Sequence, residues 1–114
     1  MTAIFCPVDD GPRVVQVDGS MRALRDLVSG YVEMVHVLPG IMAAINEHYV
    51  ELGLPVNRWI HRGAYNGGVV FVGSPRRGVP YRDLMPDDIY ALLEAGYLDV
   101  DEFREEDVHG DCGV

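Results

Sequence analysis

Apolar residues in this chain recur first at strand spacing. Ile4, Phe5 and Val8 stand in a short run of strand formers, residues 3–8, where Pro7 marks an edge or an early end. The cluster Asp9-Asp10-Gly11-Pro12 predicts a turn and Val14-Val15-Gln16-Val17 a second strand, so the chain opens as a β-hairpin. The period then changes. Met21, Leu24, Leu27 and Val28 fall on one helical stripe, with Arg22, Arg25 and Asp26 on the other side. Ser20 is placed to cap this helix and Gly30 to close it. Residues 31–38 read as the clearest strand. Its two charged or titratable positions, Glu33 and His36, fall on opposite faces, so one face is expected to reach solvent or a site.

Pro39-Gly40 predicts a turn, and residues 42–46 a strand running back along the previous one. Gly53-Leu54-Pro55 breaks the chain, after which Asn57 is placed to cap a short helical turn through Trp59 and Ile60. Residues 67–73 are strongly apolar with glycines at both ends, the pattern of a central strand. Ser74-Pro75-Arg76-Arg77-Gly78 reads as an exposed loop. Pro86 suits the first turn of a second helix, whose apolar face is Ile89, Leu92 and Leu93 and whose end is Gly96. Between Asp99 and Asp111 only Val100, Phe103 and Val108 are apolar among charges. Three such residues do not repay ordering a backbone at about 1–2 kcal/mol per residue. The pattern therefore predicts a single α+β domain over residues 1–98, followed by an acidic tail, 99–114, mobile beyond Val108. The domain is a four- to five-stranded, mostly antiparallel sheet with one packed helix and a second, C-terminal helix. Leu24, Leu27, Val28, Val35, Val37, Val70 and Val72 are expected to be buried together.

At 114 residues the chain has the length of one domain. No apolar run approaches the roughly 18 residues that span a bilayer, and the N-terminus lacks the basic start of a secretory signal, so a cytoplasmic protein is expected. In that compartment Cys6 and Cys112 are expected as free thiols. There is no lysine; all nine basic residues are arginine. This points to a GC-rich genome such as that of an actinobacterium or its phage. It also removes Walker A lysines, Schiff bases and serine–lysine dyads. Charge is unevenly spread. Residues 1–82 set eight arginines against seven carboxylates, whereas residues 83–114 set Arg104 against eleven.

The order of several short motifs is that of a known family. Leu24-Arg25-Asp26-Leu27-Val28-Ser29-Gly30-Tyr31-Val32-Glu33 is followed by Asn46-Glu47, then by Leu54-Pro55-Val56-Asn57, then by the glycine-led strand ending at Gly73. Over roughly residues 3–75 the chain resembles domain-of-unknown-function family 3846, small proteins of phages, plasmids and their bacterial hosts. The resemblance implies an accessory protein of a mobile element and assigns no catalytic residue. Three features depart from the family pattern: Ser29 where glycine is usual, Arg25 where glutamine is common, and His48-Tyr49-Val50 in place of a Gly/Lys turn.

Candidate chemistry is sparse. No nucleophile elbow, zinc spacing or Cys–His pairing stands out, so no catalytic residue, metal or cofactor is expected. Asn46, Glu47 and Asn57 are candidates for a polar-ligand site, with Arg76 and Arg77 as phosphate forks; against this, asparagines routinely serve turns and caps. The net charge of −9 disfavours direct nucleic-acid binding. The acidic end offers Asp87, Asp88, Glu94, Asp99, Asp101 and Glu102 for a protein partner with a basic surface. The expected function is non-enzymatic binding of a host or phage macromolecule. The alternatives are a small-ligand or nucleotide module, an acidic mimic of DNA, or a tail that merely solvates.

Overall fold

The elements follow one another as β1 (Thr2–Cys6), β2 (Arg13–Gln16), α1 (Met21–Val28), β3 (Val32–Leu38), β4 (Ile41–Asn46), β5 (Val69–Gly73) and α2 (Pro86–Glu94), with a 3-10 turn at Val100–Glu102. This computed structural model describes residues 1–103. The strands form one sheet in the order β2-β1-β5-β4-β3, every neighbouring pair antiparallel. β1–β2 and β3–β4 are hairpins. β5 arrives late in the chain and fills the gap between them, so the glycine-flanked apolar run is central, as its composition predicts.

Every residue of β4 and β5 is buried. Because side chains alternate along a strand, such burial requires cover on both faces. α1 covers one face. Leu24 and Val28 meet Ala3, Met42, Ala44, Val70 and Val72 there, with Leu27, Val32 and Met34 half-buried at the margin. The other face is covered by α2 and the segment around Ile60. Phe71 is fully buried there among Ile4, Ile41, Ala43, Ile45, Leu92 and Leu98. The core expected as one group is thus two. Val35 and Val37 pack on the α2 side, opposite Leu24, Leu27, Val28, Val70 and Val72, because odd positions of β3 share the face of Ala43. Glu33 and His36 are both exposed, since β3 is an edge strand.

Both ends of α1 are fixed by short polar devices. The Ser20 hydroxyl accepts a hydrogen bond from the Ala23 N–H (3.2 Å). Asp18 accepts from the Ser20 hydroxyl (2.6 Å) and N–H (2.9 Å), which holds its carboxyl below the ordinary value. At the other end Ser29, not Gly30, takes the left-handed conformation, with φ 64°. Gly30 is needed for a different reason: a Cβ there would sit 2.7 Å from Nδ2 of Asn46.

After the exposed loop expected at residues 74–78, the chain returns to complete the α1 face. Tyr81 is fully buried, and its hydroxyl donates to the Ser20 carbonyl (2.7 Å). The following residues press on the end of β5, where a Cβ on Gly73 would meet the Asp83 carbonyl at 2.7 Å. α2 then begins at Pro86, with the Asp88 carboxylate accepting from the Met85 N–H (2.9 Å). No basic residue lies in its last turn; Arg62 reaches in from the connection between β4 and β5 and donates to the Ala95 carbonyl (2.9 Å). Past the boundary expected at residue 98, Phe103 packs against the α2-side core and Glu102 meets Nε2 of His61 (2.9 Å). The expected mobility beyond Val108 concerns residues outside the described ones.

The left-handed Ser29 yields a direct expectation. For a residue with a Cβ this conformation costs about 1–2 kcal/mol, whereas glycine adopts it freely at some cost in unfolded-state entropy. Ser29→Gly should therefore raise stability by about 1 kcal/mol in urea denaturation. An unchanged or lowered midpoint would show that the serine carries no strain.

Candidate functional site

Asn46 ends β4 on the α1 face and is 1% exposed. Its Nδ2 donates to the carbonyls of Val28 (3.1 Å) and Ser29 (3.3 Å), two of the groups that a helix end leaves without partners. Its Oδ1 accepts from the His48 N–H (2.8 Å). A single amide thus ties the end of α1 to the turn after β4. Next to it, across the strand pair, the Tyr31 carbonyl accepts from the backbone N–H of Glu47 (2.8 Å).

Asn57 does the equivalent on the long connection between β4 and β5. It is also 1% exposed. Nδ2 donates to the carbonyls of Cys6 (2.8 Å) and Gly67 (3.0 Å), and Oδ1 accepts from the Trp59 N–H (3.0 Å). This last bond is the local turn expected from the sequence; the first two join chain ends that the sequence leaves far apart. Trp59 adds a bond from its indole N–H to the Val8 carbonyl (2.9 Å), and its ring lies against Gly11 and under the Arg58 guanidinium (4.5 Å).

The other ligand candidates stand elsewhere. Glu47 is exposed beside Asn46, whereas Arg76 and Arg77 occupy the tip of a tight turn closed by reciprocal bonds between Arg76 and Val79. Gly73 pairs with Ile41 and Val70 with Ala44, so this turn lies at the Ile41 end of β4 and Asn46 at the other. The separation is about the length of the strand, near 17 Å. The five residues are therefore not gathered: two are consumed in buried hydrogen bonds, one is exposed near them, and two point from the far end of the sheet.

The acidic candidates divide as well. Asp88 caps α2 and lies 3.6 Å from Arg82, Asp99 accepts from the Asp101 N–H (3.0 Å), and Glu102 pairs with His61. Asp87, Glu94 and Asp101 remain exposed. Asp87 and Glu94 flank Tyr90, which is 63% exposed and donates to Glu94 (3.3 Å). Sequence reasoning passed over this tyrosine. Its signal was the spacing, three residues after Asp87 and four before Glu94, which puts it on the polar stripe of the helix.

Other reactive groups are placed for packing. Cys6 is buried, and burial pushes its thiol far above the ordinary range, so it carries no thiolate at neutral pH. Cys112 lies outside the described residues, as does His109. Among the described residues no three His, Cys, Asp or Glu side chains gather as a metal ion would require, and no helix is long and apolar enough to cross a membrane. Several concavities among the described residues are open to solvent. One is lined by Arg25, Asp26, Ser29, Gly30 and Tyr31, and another by Leu38, Pro39, Ala91, Glu94 and Ala95.

A family model described as "Domain of unknown function (DUF3846)" matches residues 1–96, and the chain belongs to that family. The match runs past residue 75 and through α2, so the second helix belongs to the family pattern, contrary to the shorter resemblance seen in the motifs alone. No curated protein and no solved structure matches the chain.

If Asn57 is a structural bolt, its donor is what matters. Asn57→Ala should cost about 2–4 kcal/mol, because two buried carbonyls lose their partner. Asn57→Asp should cost at least as much, since a carboxylate keeps the acceptor and lacks the donor. Urea denaturation decides the matter: an Asp variant with an unchanged midpoint would free Asn57 for a ligand.

Proposed function

We propose that this member of the DUF3846 family is a non-enzymatic accessory protein of a phage or mobile element, and that it works by docking α2 on a basic protein surface. The mobile-element setting is what the family resemblance implies. The docking surface rests on one observation, the exposure of Tyr90 between two carboxylates. α2 buries Leu92 and half-buries Ile89 and Leu93. Its opposite stripe presents Asp87, Tyr90 and Glu94, with Met85 53% exposed just before the helix.

This combination suits arginine. A carboxylate receives a guanidinium in two parallel hydrogen bonds, and the tyrosine ring accepts the same planar cation on its face. Aromatic anchors ringed by polar groups are also the residues that dominate protein–protein affinity. The buried amides of Asn46 and Asn57 support the same reading, because they are already spent within the fold.

The test compares two variants in affinity capture from host lysate over a range of salt. In the triple variant Asp87→Asn, Tyr90→Ala, Glu94→Gln, proteins captured by the wild type should be lost. In a control with equal loss of charge, Glu33→Gln and Glu47→Gln, they should be kept. Capture by the wild type should weaken as salt rises. Equal capture by both variants, or capture indifferent to salt, would contradict docking through α2.

A further inference from the structure

β3 is the longest strand of the sheet, at seven residues, and it stands at an edge. The Tyr31 carbonyl accepts from Glu47, and the register pairs Glu33 with Ile45 and Val35 with Ala43. In an antiparallel ladder the N–H and C=O of one residue point to the same side, and that side alternates along the strand. Tyr31, Glu33 and Val35 therefore address β4. Val32, Met34 and His36 address the outside, and among the described residues nothing bonds to their outward N–H and C=O groups.

Each face of this edge carries two half-buried apolar side chains and one exposed polar one, His36 toward α1 and Glu33 toward α2. Val32 and Met34 are half-buried toward α1, and Val35 and Val37 toward α2. A long edge of this kind is a template for another strand. An incoming strand that continued the sheet would set its side chains beside these, apolar next to the margins of the two layers and polar where β3 reaches solvent. β3 of a second copy carries that same pattern. We infer that the chain forms a two-fold dimer in which β3 pairs antiparallel with β3 of a second copy, centred on Met34, to make one continuous sheet.

The register follows from the chemistry of the strand. Centred on Met34, the outward groups of Val32, Met34 and His36 meet those of His36, Met34 and Val32 in the second copy, about six hydrogen bonds in all. Glu33 then stands opposite Val35. Centring on Glu33 would set two carboxylates face to face, which is unfavourable. The irregularity between His36 and Leu38, followed by Pro39, ends the pairing beyond His36. The acidic helices do not oppose the assembly. Glu94 shares a groove with Leu38 and Pro39. Leu38 lies four residues from the axis, so the two Glu94 side chains are about 25 Å apart, beyond a screening length of about 10 Å. Five paired residues make a small interface, and the dimer is weak and concentration-dependent.

Sedimentation equilibrium of the full chain over a concentration series should show mass rising from 12.6 kDa toward twice that value. Met34→Pro deletes an outward N–H, at a place where an edge strand tolerates proline, and gives up the packing of the half-buried Met34 side chain on the α1 face. It should weaken dimerisation at least tenfold while leaving the far-ultraviolet circular dichroism unchanged. Amide hydrogen exchange of the wild type decides the matter even if that variant does not fold. The N–H groups of Val32, Met34 and His36 should exchange freely in dilute protein and become protected as concentration rises. A chain that stays monomeric at millimolar concentration would overturn the proposal. So would a dimer whose three edge amides stay unprotected, or protection that needs an added partner protein.

Discussion

The rest of the molecule depends on the burial of β4 and β5 from both sides. Two adjacent strands without an exposed residue need cover above and below. That demand fixes α1 on one face and α2 on the other, and it draws in Tyr81 to complete the first and Ile60 to complete the second. Small side chains make room for this cover. Ala43 and Ala44 sit back to back in β4, one beneath each layer. The layers differ in their anchors. Phe71 fills the α2 side, while the α1 side is closed by the Tyr81 hydroxyl bonded to the cap residue of the helix.

A sheet covered in this way leaves its backbone ends to be satisfied locally, and two asparagines do it. Each offers two donors and an acceptor in one planar group. Asn46 closes the corner between α1, β3 and β4; Asn57 closes the corner between β1, β5 and the long connection. With the polar groups of the interior so engaged, what faces outward is a tyrosine between carboxylates on α2 and an unpaired edge on β3. These two surfaces lie on different elements, so the reading of α2 and the self-pairing of β3 stand or fall separately.

Much of the fold was legible because its signals are local. The serine cap of α1, the change of period at Met21, the glycines around β5 and the proline at the start of α2 each act within a few residues. What escaped depends on contacts far apart in the chain. Nothing near Gly30 announces that Asn46 will crowd it, so glycine was assigned the left-handed turn that Ser29 occupies. The turn bond of Asn57 was visible, but its bonds to Cys6 and Gly67 were not. The division of the core was latent in the alternation of Val32, Met34, Val35 and Val37, and became readable once both faces were known to be covered. Tyr81 carries no local sign of its burial, because its partner, Ser20, lies 61 residues away. The ligand candidates were chosen as polar residues at turns, and a polar side chain at a turn is as well suited to bonding backbone as to binding a ligand.

That the amides of Asn46 and Asn57 belong to the interior of the fold is open to a direct test. The test is solvent exchange of their side-chain NH2 groups in a heteronuclear NMR spectrum. Buried NH2 groups that each donate to two carbonyls open only with their surroundings. Both NH2 groups should exchange as slowly as the backbone amides of β5. Exchange at the rate of an exposed asparagine side chain would contradict it and return both residues to the surface as candidates for a ligand.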